Sequence, residues 1–500
     1  MKRFFASLLS LSLLLASCTF SSPKTSATPT SQFDPFQIPW DDRSIFQSGL
    51  IKSALPVLNE LPGASVYHID LNIAEDMYHV MGREDVQYTN NESVSLNEVQ
   101  FRLFPNILGG ETKTTNLQVD GQSITPQYQL RNSLMIVPLS KALEPGQSIV
   151  FTMDFAVTVP QEVELNYGVL AYYEDVLALA HAYPMICVYD DEGWNAELPS
   201  QNGDLTYADA SFYIVRVTAP KDLKLVTSGQ RVDFAEAGQV QTMIVASGPA
   251  RDFVLMASPQ YEEVSRKFGE VTINTYAVKD SMKGAEFALE VASKAIDVFS
   301  KRYAPYPYTE LDLAATPNLA LGIEYPGAIA LTTRIYDISG QLNGNQISDI
   351  VEATVAHEVG HQFFYNLVGN DQLDDPWLDE ALAQFATVQY YTDTYGEQAA
   401  EGFHSSLEQR WARVDFQKIP IGLPVVAYQG REYGAIVYGR GPLFMEALRD
   451  EMGVPAFDDF MQDYTKSLAW KISTPETLQD LAERHCACDL DELFDEWVYQ

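Results

Sequence analysis

From about residue 64 to residue 262, apolar and polar side chains alternate along the chain with a period of two. In one such run Tyr67, Ile69, Leu71 and Ile73 fall on one side and His68, Asp70 and Asn72 on the other, the mark of a strand with two unlike faces. Similar runs recur in SIVFTMDFAVTV, SFYIVRVTA, QTMIVAS and DFVLMAS, punctuated by turn signals at Pro145-Gly146, Pro220 and Ser228-Gly229. An antiparallel β domain, sandwich or open saddle, is expected. After about residue 280 the period lengthens. Phe287, Val291, Ala295 and Phe299 repeat at helical spacing until Pro305. Helices prevail from there to Gln500, broken by strand-like runs at LDLAAT and GIEYPGAIALT. The pattern predicts an α+β multidomain chain, with a β domain over 46–265 and a mainly helical domain over 266–500.

The N-terminus reads differently. Met1-Lys2-Arg3 is basic, Phe4 to Leu15 is an apolar run, and Ala16-Ser17-Cys18 is a small-residue exit. Residues 1–17 read as an export signal, because the run is too short to cross a bilayer and stay. Leu15-Ala16-Ser17-Cys18 resembles the bacterial lipobox, which implies cleavage before Cys18 and a lipid on its sulfur. Residues 18–45, rich in Ser, Thr and Pro, read as a spacer. The body is therefore expected outside the cytoplasm, lipid-anchored to a bacterial membrane at the cell surface or in the periplasm. Of the remaining cysteines, Cys187, Cys486 and Cys488, burial or one disulfide to Cys187 is expected, and His485-Cys486-Ala487-Cys488 is a weak zinc signal. Lys and Arg number 32 against 68 Asp and Glu, a net charge of −36. Such a surface repels phosphate backbones, so no nucleic-acid partner is expected.

The chemistry concentrates in ATVAHEVGHQFFYN, Ala353 to Asn366. A helix is expected from a cap at Ser348 or Asp349 to about Leu367, ended by Gly369. At about 100° per residue, His357 and His361 stand about 40° apart on one face, so both imidazoles reach one ion. Glu358 lies further round, placed to touch a water on that ion. A catalytic zinc needs a third protein ligand and an open position. DDPWLDEALAQF starts another helix, with Asp375 as cap and Pro376 in its first turn. Glu380 in that helix returns a carboxylate to the histidine pair. The expected metal ligands are His357, His361 and Glu380, with one Zn2+ per chain.

This His357-Glu358-x-x-His361…Glu380 arrangement resembles the gluzincin metallopeptidases, specifically the aminopeptidase N family that includes leukotriene hydrolase. The resemblance extends over roughly residues 65–500 and implies a thermolysin-like catalytic domain after the β domain. It makes two further motifs legible. LGIEYPG resembles the family's G-x-M-E-N strand, implying that Glu324 binds the substrate's free α-amino group, with Gly322 and Ile323 beside the substrate. Leu321, Ile323 and Tyr325 depart from that pattern. YGRG resembles the family's Y-x-K-G, implying that Tyr438 stabilises the oxyanion, with Tyr433 as a nearby competitor. Ala381 replaces the glycine usual after the ligand glutamate. The helical C-terminal domain by which larger members cover the site is expected to be absent.

The expected function is a zinc aminopeptidase acting on peptides with a free N-terminus, with Glu358 as general base and then acid. Two alternatives stand beside it: a thermolysin-like endopeptidase, and a zinc-containing binding lipoprotein without turnover.

Overall fold

The computed structural model describes residues 34–200 and 202–500. The export signal, Cys18 and the first part of the spacer lie outside the described residues.

The alternating run at Tyr67 is the strand Val66–Ile73, inside an eight-stranded sheet. It pairs antiparallel with His79–Thr89 on one side and parallel with Ser211–Pro220 on the other. That parallel pair departs from the antiparallel pattern expected of this half. Ile69, Leu71, Val215 and Val217 face the core of the β-rich half, with Phe101 and Phe151. On the opposite face Phe212, Ile214 and Ile244 pack into the core of the helical half. The central strands are apolar on both faces because each face is covered. Two four-stranded sheets and a two-stranded ribbon, Tyr189–Asp190 with Gly193–Trp194, complete the β-rich half among the described residues.

Residues 34–45 do not behave as the expected spacer. Trp40 stacks on His68 with ring centroids 4.2 Å apart, and the Arg83 guanidinium lies 4.9 Å from the Phe36 ring. Aromatic rings bury enough apolar area to hold this stretch against the sheet. The strand Tyr261–Phe268 spans the boundary expected at 265/266. Tyr261–Phe268 already belongs to a second, five-stranded sheet, because the period-two pattern runs through the change of sheet without a signal.

That second sheet runs from Tyr261–Phe268 through Val271–Val278, Glu310–Thr316 and Ala328–Thr332 to an edge strand, Gly322–Tyr325. Helix α1 (Met282–Arg302) lies between Val271–Val278 and Glu310–Thr316 in the chain, and α2 (Ile347–Gly360), α3 (Trp377–Tyr395) and α4 (Glu397–Trp411) follow the last strand. No side chain caps α2, which starts after Gln346, or α3, which starts after Pro376. Ser348, Asp349 and Asp375 are therefore not caps. Asp371 organises the turn before α3 instead, accepting from the amides of Leu373 (2.8 Å) and Asp374 (3.1 Å).

α2 also ends earlier than Leu367. Beyond Gly360 the amides of Asn366, Leu367 and Val368 bond back five residues, to His361, Gln362 and Phe363. The carbonyls left over are taken from outside: buried Arg251, from the β-rich half, donates through Nε to Tyr365 (2.6 Å) and Asn366 (3.1 Å). A tertiary donor, invisible in local periodicity, stops the helix.

Of the two outcomes expected for the cysteines, burial or a disulfide to Cys187, the structure shows burial of Cys187 and no disulfide to it. Cys486 and Cys488 are joined to each other, while Cys187 is free and buried against Leu134 and Ile136 in the β-rich half. Among the described residues no helix is long and apolar enough to cross a membrane.

Candidate active site

α2 carries His357 and Glu358 and hands on to His361, whose backbone is still helical. One turn separates the two imidazoles, and their Nε2 atoms approach to 3.1 Å with the ring planes 82° apart. His361 Nδ1 contacts the Phe364 carbonyl at 3.1 Å. A proton on Nδ1 makes that contact a hydrogen bond and turns the Nε2 lone pair toward His357. α3 returns beside α2 and presents Glu380, whose Oε2 lies 3.1 Å from His357 Nε2 and 3.4 Å from His361 Nε2.

These three donors form one group that fits a metal ion. The test is in the polar accounting. Glu380 Oε2 is buried and accepts no hydrogen bond, so it faces only the two imidazole nitrogens. Burial pushes the Glu380 carboxyl up, but contacts with His357 and His361 prevail and hold it well below the usual range. Burial and the neighbouring His361 lower His357 to about 4, so it stays neutral. His361 is pushed up, against its burial, by Glu324 and Glu380. Two imidazoles and a carboxylate converging in a dry site want a positive charge at their centre, and this nitrogen and oxygen set suits zinc.

Glu358 is 4% exposed and its Oε2 has no partner. Burial first, then Glu324, raises its carboxyl well above the normal range. Glu324, Glu358 and His361 place ligand atoms within 4.8 Å of one another, so the edge strand lays its carboxylate beside the donors on α2. Gly322 makes this approach possible: a Cβ there would lie 2.5 Å from Glu358 Cγ and Cδ. Ile323 lines the same cavity, of about 950 Å3.

Glu324 is 7% exposed and is steadied by Gln372, whose Nε2 donates to Glu324 Oε1 (3.3 Å) and Asp379 Oδ2 (2.8 Å). Gln372 is in turn held by the Thr206 hydroxyl at 3.0 Å. Sequence reasoning missed Thr206, Gln372 and Asp379. Asp379 directly precedes Glu380 and so carried a signal, whereas Thr206 and Gln372 are ordinary loop residues until the fold joins them. Asp204, also missed, lines the cavity, and burial followed by Glu324 raises its carboxyl.

Tyr438 sits in a π-helical turn, Ile436–Arg440, and its hydroxyl donates to Glu380 Oε1. Tyr433 lies beside it, ring centroids 5.7 Å apart, and lines the same cavity. Gly441 explains the alanine after Glu380, because a Cβ at Gly441 would fall 2.6 Å from that of Ala381. Arg440 does not reach the cavity. It donates to the carbonyls of Ile419, Trp497 and Glu496 and fixes the last turn of the chain.

Fold and donor set together define a zinc metallopeptidase architecture, a β-rich half followed by a helical half bearing HExxH and a distant glutamate. Residues 287–497 match the family model described as the Peptidase family M1 domain. The chain is 26% identical over 407 residues to Aminopeptidase M1-B of Oryza sativa subsp. japonica, covering 77% of this chain and 45% of that protein. It is 26% identical over 293 residues to Probable aminopeptidase 2 of Sulfurisphaera tokodaii (56% and 37%) and 23% over 443 residues to Glutamyl aminopeptidase of Sus scrofa (83% and 46%). It thus spans less than half the length of these relatives. In fold it is similar to the M1 zinc metallopeptidase of Deinococcus radiodurans, with a TM-score of 0.64, 17% identity, and coverage of 91% of this chain and 95% of that one. Residues 287–497 thus carry the Peptidase family M1 domain, and the chain is similar to aminopeptidases in sequence and to M1 zinc metallopeptidases in fold.

Proposed function

We propose that this protein is a zinc aminopeptidase that removes residues from the free N-terminus of peptides, tethered at the cell exterior through a lipid on Cys18. The observation that carries the reading is the buried Glu324 carboxylate, held by Gln372 beside Glu358 and His361. Glu324 binds the substrate's N-terminal ammonium, so the first peptide bond falls at the donor cluster.

His357, His361 and Glu380 would hold the zinc, which when bound supplies Lewis acidity, polarising a carbonyl and acidifying water. Glu358, with a free Oε2 in a dry setting, takes the proton of the attacking water and passes it to the departing amine. Its raised pKa suits both halves of that exchange. Glu380 holds the Tyr438 phenol beside the donor cluster in this structure, and when substrate binds the hydroxyl turns from Glu380 to donate a hydrogen bond to the developing oxyanion. Relatives named as aminopeptidases support this reading, and a variant of the Deinococcus protein has been solved bound to Tyr-Ser-Ala.

A panel of aminoacyl chromogenic substrates, run with and without a chelator, tests the activity. Hydrolysis that stops with the chelator and returns with Zn2+ is expected, and hydrolysis indifferent to the chelator removes the metal from the reading. The lipid rests on Leu15-Ala16-Ser17-Cys18 after the apolar run. Labelling with a fatty acid should mark the wild type and not Cys18→Ala.

A further inference from the structure

Two arginines lie together in the reaction cavity. Arg410 ends α4, and Arg413 follows in the turn Ala412–Val414. Both line the cavity that holds His357, Glu358 and Glu380. Nearby, Arg302 pairs with Asp393 at 2.6 Å and His404 with Glu446 at 2.8 Å. Among the described residues, neither the Arg410 nor the Arg413 guanidinium has a carboxylate within salt-bridge distance or a hydrogen bond.

We propose that Arg410 and Arg413 form a carboxylate-binding subsite on the leaving-group side of the cavity, selecting peptides with a negative charge one or two residues beyond the scissile bond. The inference rests on the aminopeptidase reading above and adds to it which substrates are preferred.

Position supports the assignment. The Arg410 guanidinium carbon lies 5.9 Å from the centre of the Tyr438 ring, and the Tyr438 hydroxyl bonds Glu380. Arg410 is thus one side chain removed from the donor cluster, on the α4 side. Glu324 approaches from the other side, on the edge strand, with its carboxylate grouped with Glu358 and His361. A peptide with its ammonium on Glu324 and its first carbonyl at the donor cluster therefore sends its remaining residues toward α4.

Chemistry narrows the ligand. A spacing of three residues puts both guanidinium groups on one face of the helix end. Two like charges side by side repel each other, a cost that an incoming anion removes. The planar guanidinium fork matches a carboxylate, with two parallel hydrogen bonds to its two oxygens. That carboxylate has two sources: the C-terminus of a dipeptide or tripeptide, or an Asp or Glu side chain just after the cleaved bond.

The test compares kcat/KM of the zinc-loaded full chain for three substrates: trialanine as the free acid, trialanine amide, and Ala-Asp-Ala amide. Wild type should favour at least one of the two charged peptides over the neutral amide by about tenfold, mainly through KM. Preference for the free acid alone identifies the terminal carboxylate, and preference for the aspartyl amide identifies the side chain. Arg410→Gln and Arg413→Gln should each bring the ratio toward one. Arg413→Lys, which keeps charge but loses the fork, should fall between. Equal hydrolysis of all three by wild type, which needs no variant to fold, overturns the subsite and leaves the aminopeptidase reading standing. A preference that survives both glutamine substitutions also overturns it. If none of the three loses its N-terminal alanine, the aminopeptidase reading has failed, and the subsite falls with it.

Discussion

Gly322 and Glu358 are in van der Waals contact across the boundary between sheet and helix, and no side chain larger than hydrogen fits at Gly322. The edge strand that carries Glu324 therefore lies directly against the carboxylate proposed to move the proton. Gly322→Ala puts a Cβ 2.5 Å from Glu358 Cγ and Cδ and must displace that carboxylate. We expect kcat to fall by about 100-fold with bound zinc unchanged, since displacements near 1 Å cost that much. Steady-state kinetics with metal analysis on the same preparation checks this. An unimpaired kcat would show that the position of Glu358 is not critical.

Glu358→Gln keeps the shape of the side chain and removes its basicity. Zinc stoichiometry should stay at one per chain while kcat drops about 100- to 10,000-fold. Loss of zinc together with activity would assign Glu358 to the metal instead.

Tyr438→Phe removes both the proposed oxyanion donor and the hydrogen bond to Glu380 Oε1. A fall of about 100- to 1,000-fold in kcat is expected, with KM nearly constant. If Tyr433→Phe shows that loss and Tyr438→Phe does not, the roles of the neighbouring tyrosines are exchanged.

Arg251 joins the two halves of the molecule. Besides the carbonyls of Tyr365 and Asn366, it donates to Ala208 (2.9 Å) and Lys471 (2.7 Å), and Gly369 leaves room for it. Arg251→Met strands the carbonyl oxygens of Tyr365, Asn366 and Ala208 in a dry interior, while that of Lys471 keeps the Gly369 amide. A loss of about 3 kcal/mol or more in unfolding free energy is expected from urea denaturation. A change below about 0.5 kcal/mol would show that other donors replace it.

His68 gives stability a pH dependence. Burial first, and then the charge of Arg43, lowers it from 6.5 to about 4, and neither ring nitrogen has a partner. The unfolded chain therefore takes up a proton at His68 before the folded one does. This contribution is intact above pH 6.5 and is lost as pH falls through about 4. His68→Phe should flatten that part of the stability profile, by up to about 3 kcal/mol between pH 7 and 4. Parallel wild-type and variant profiles from thermal or urea unfolding would contradict it.

The donor cluster was legible because its spacing is dictated locally. One helical turn fixes His357 to His361, and the chain between His361 and Glu380 suffices to turn and come back. Glu324 and Tyr438 needed the family resemblance, since nothing in an isolated GIEY or YGRG marks it as part of a site. Gln372, Thr206 and Arg251 were not legible, because each acts on a partner far away in sequence. The end of α2 was misplaced for the same reason: local pattern extends a helix to Leu367, and only Arg251 and Gln362 reveal why it stops. Gln362 joins that stop to the edge strand, donating to the Tyr325 carbonyl (3.0 Å) and accepting from the Gly327 amide (2.9 Å). The spacer misled because composition averages over Trp40, one aromatic residue that finds a ring to stack on.

The central claim is that Glu324 counts residues from a free amino terminus to the bond that is cut. Mass spectrometry of one unblocked peptide and its Nα-acetylated twin, each incubated with the zinc-loaded protein, tests it most directly. The account predicts that the free peptide shortens one residue at a time from its N-terminus while the acetylated peptide stays intact. Equal cleavage of both, or internal fragments from either, would contradict it.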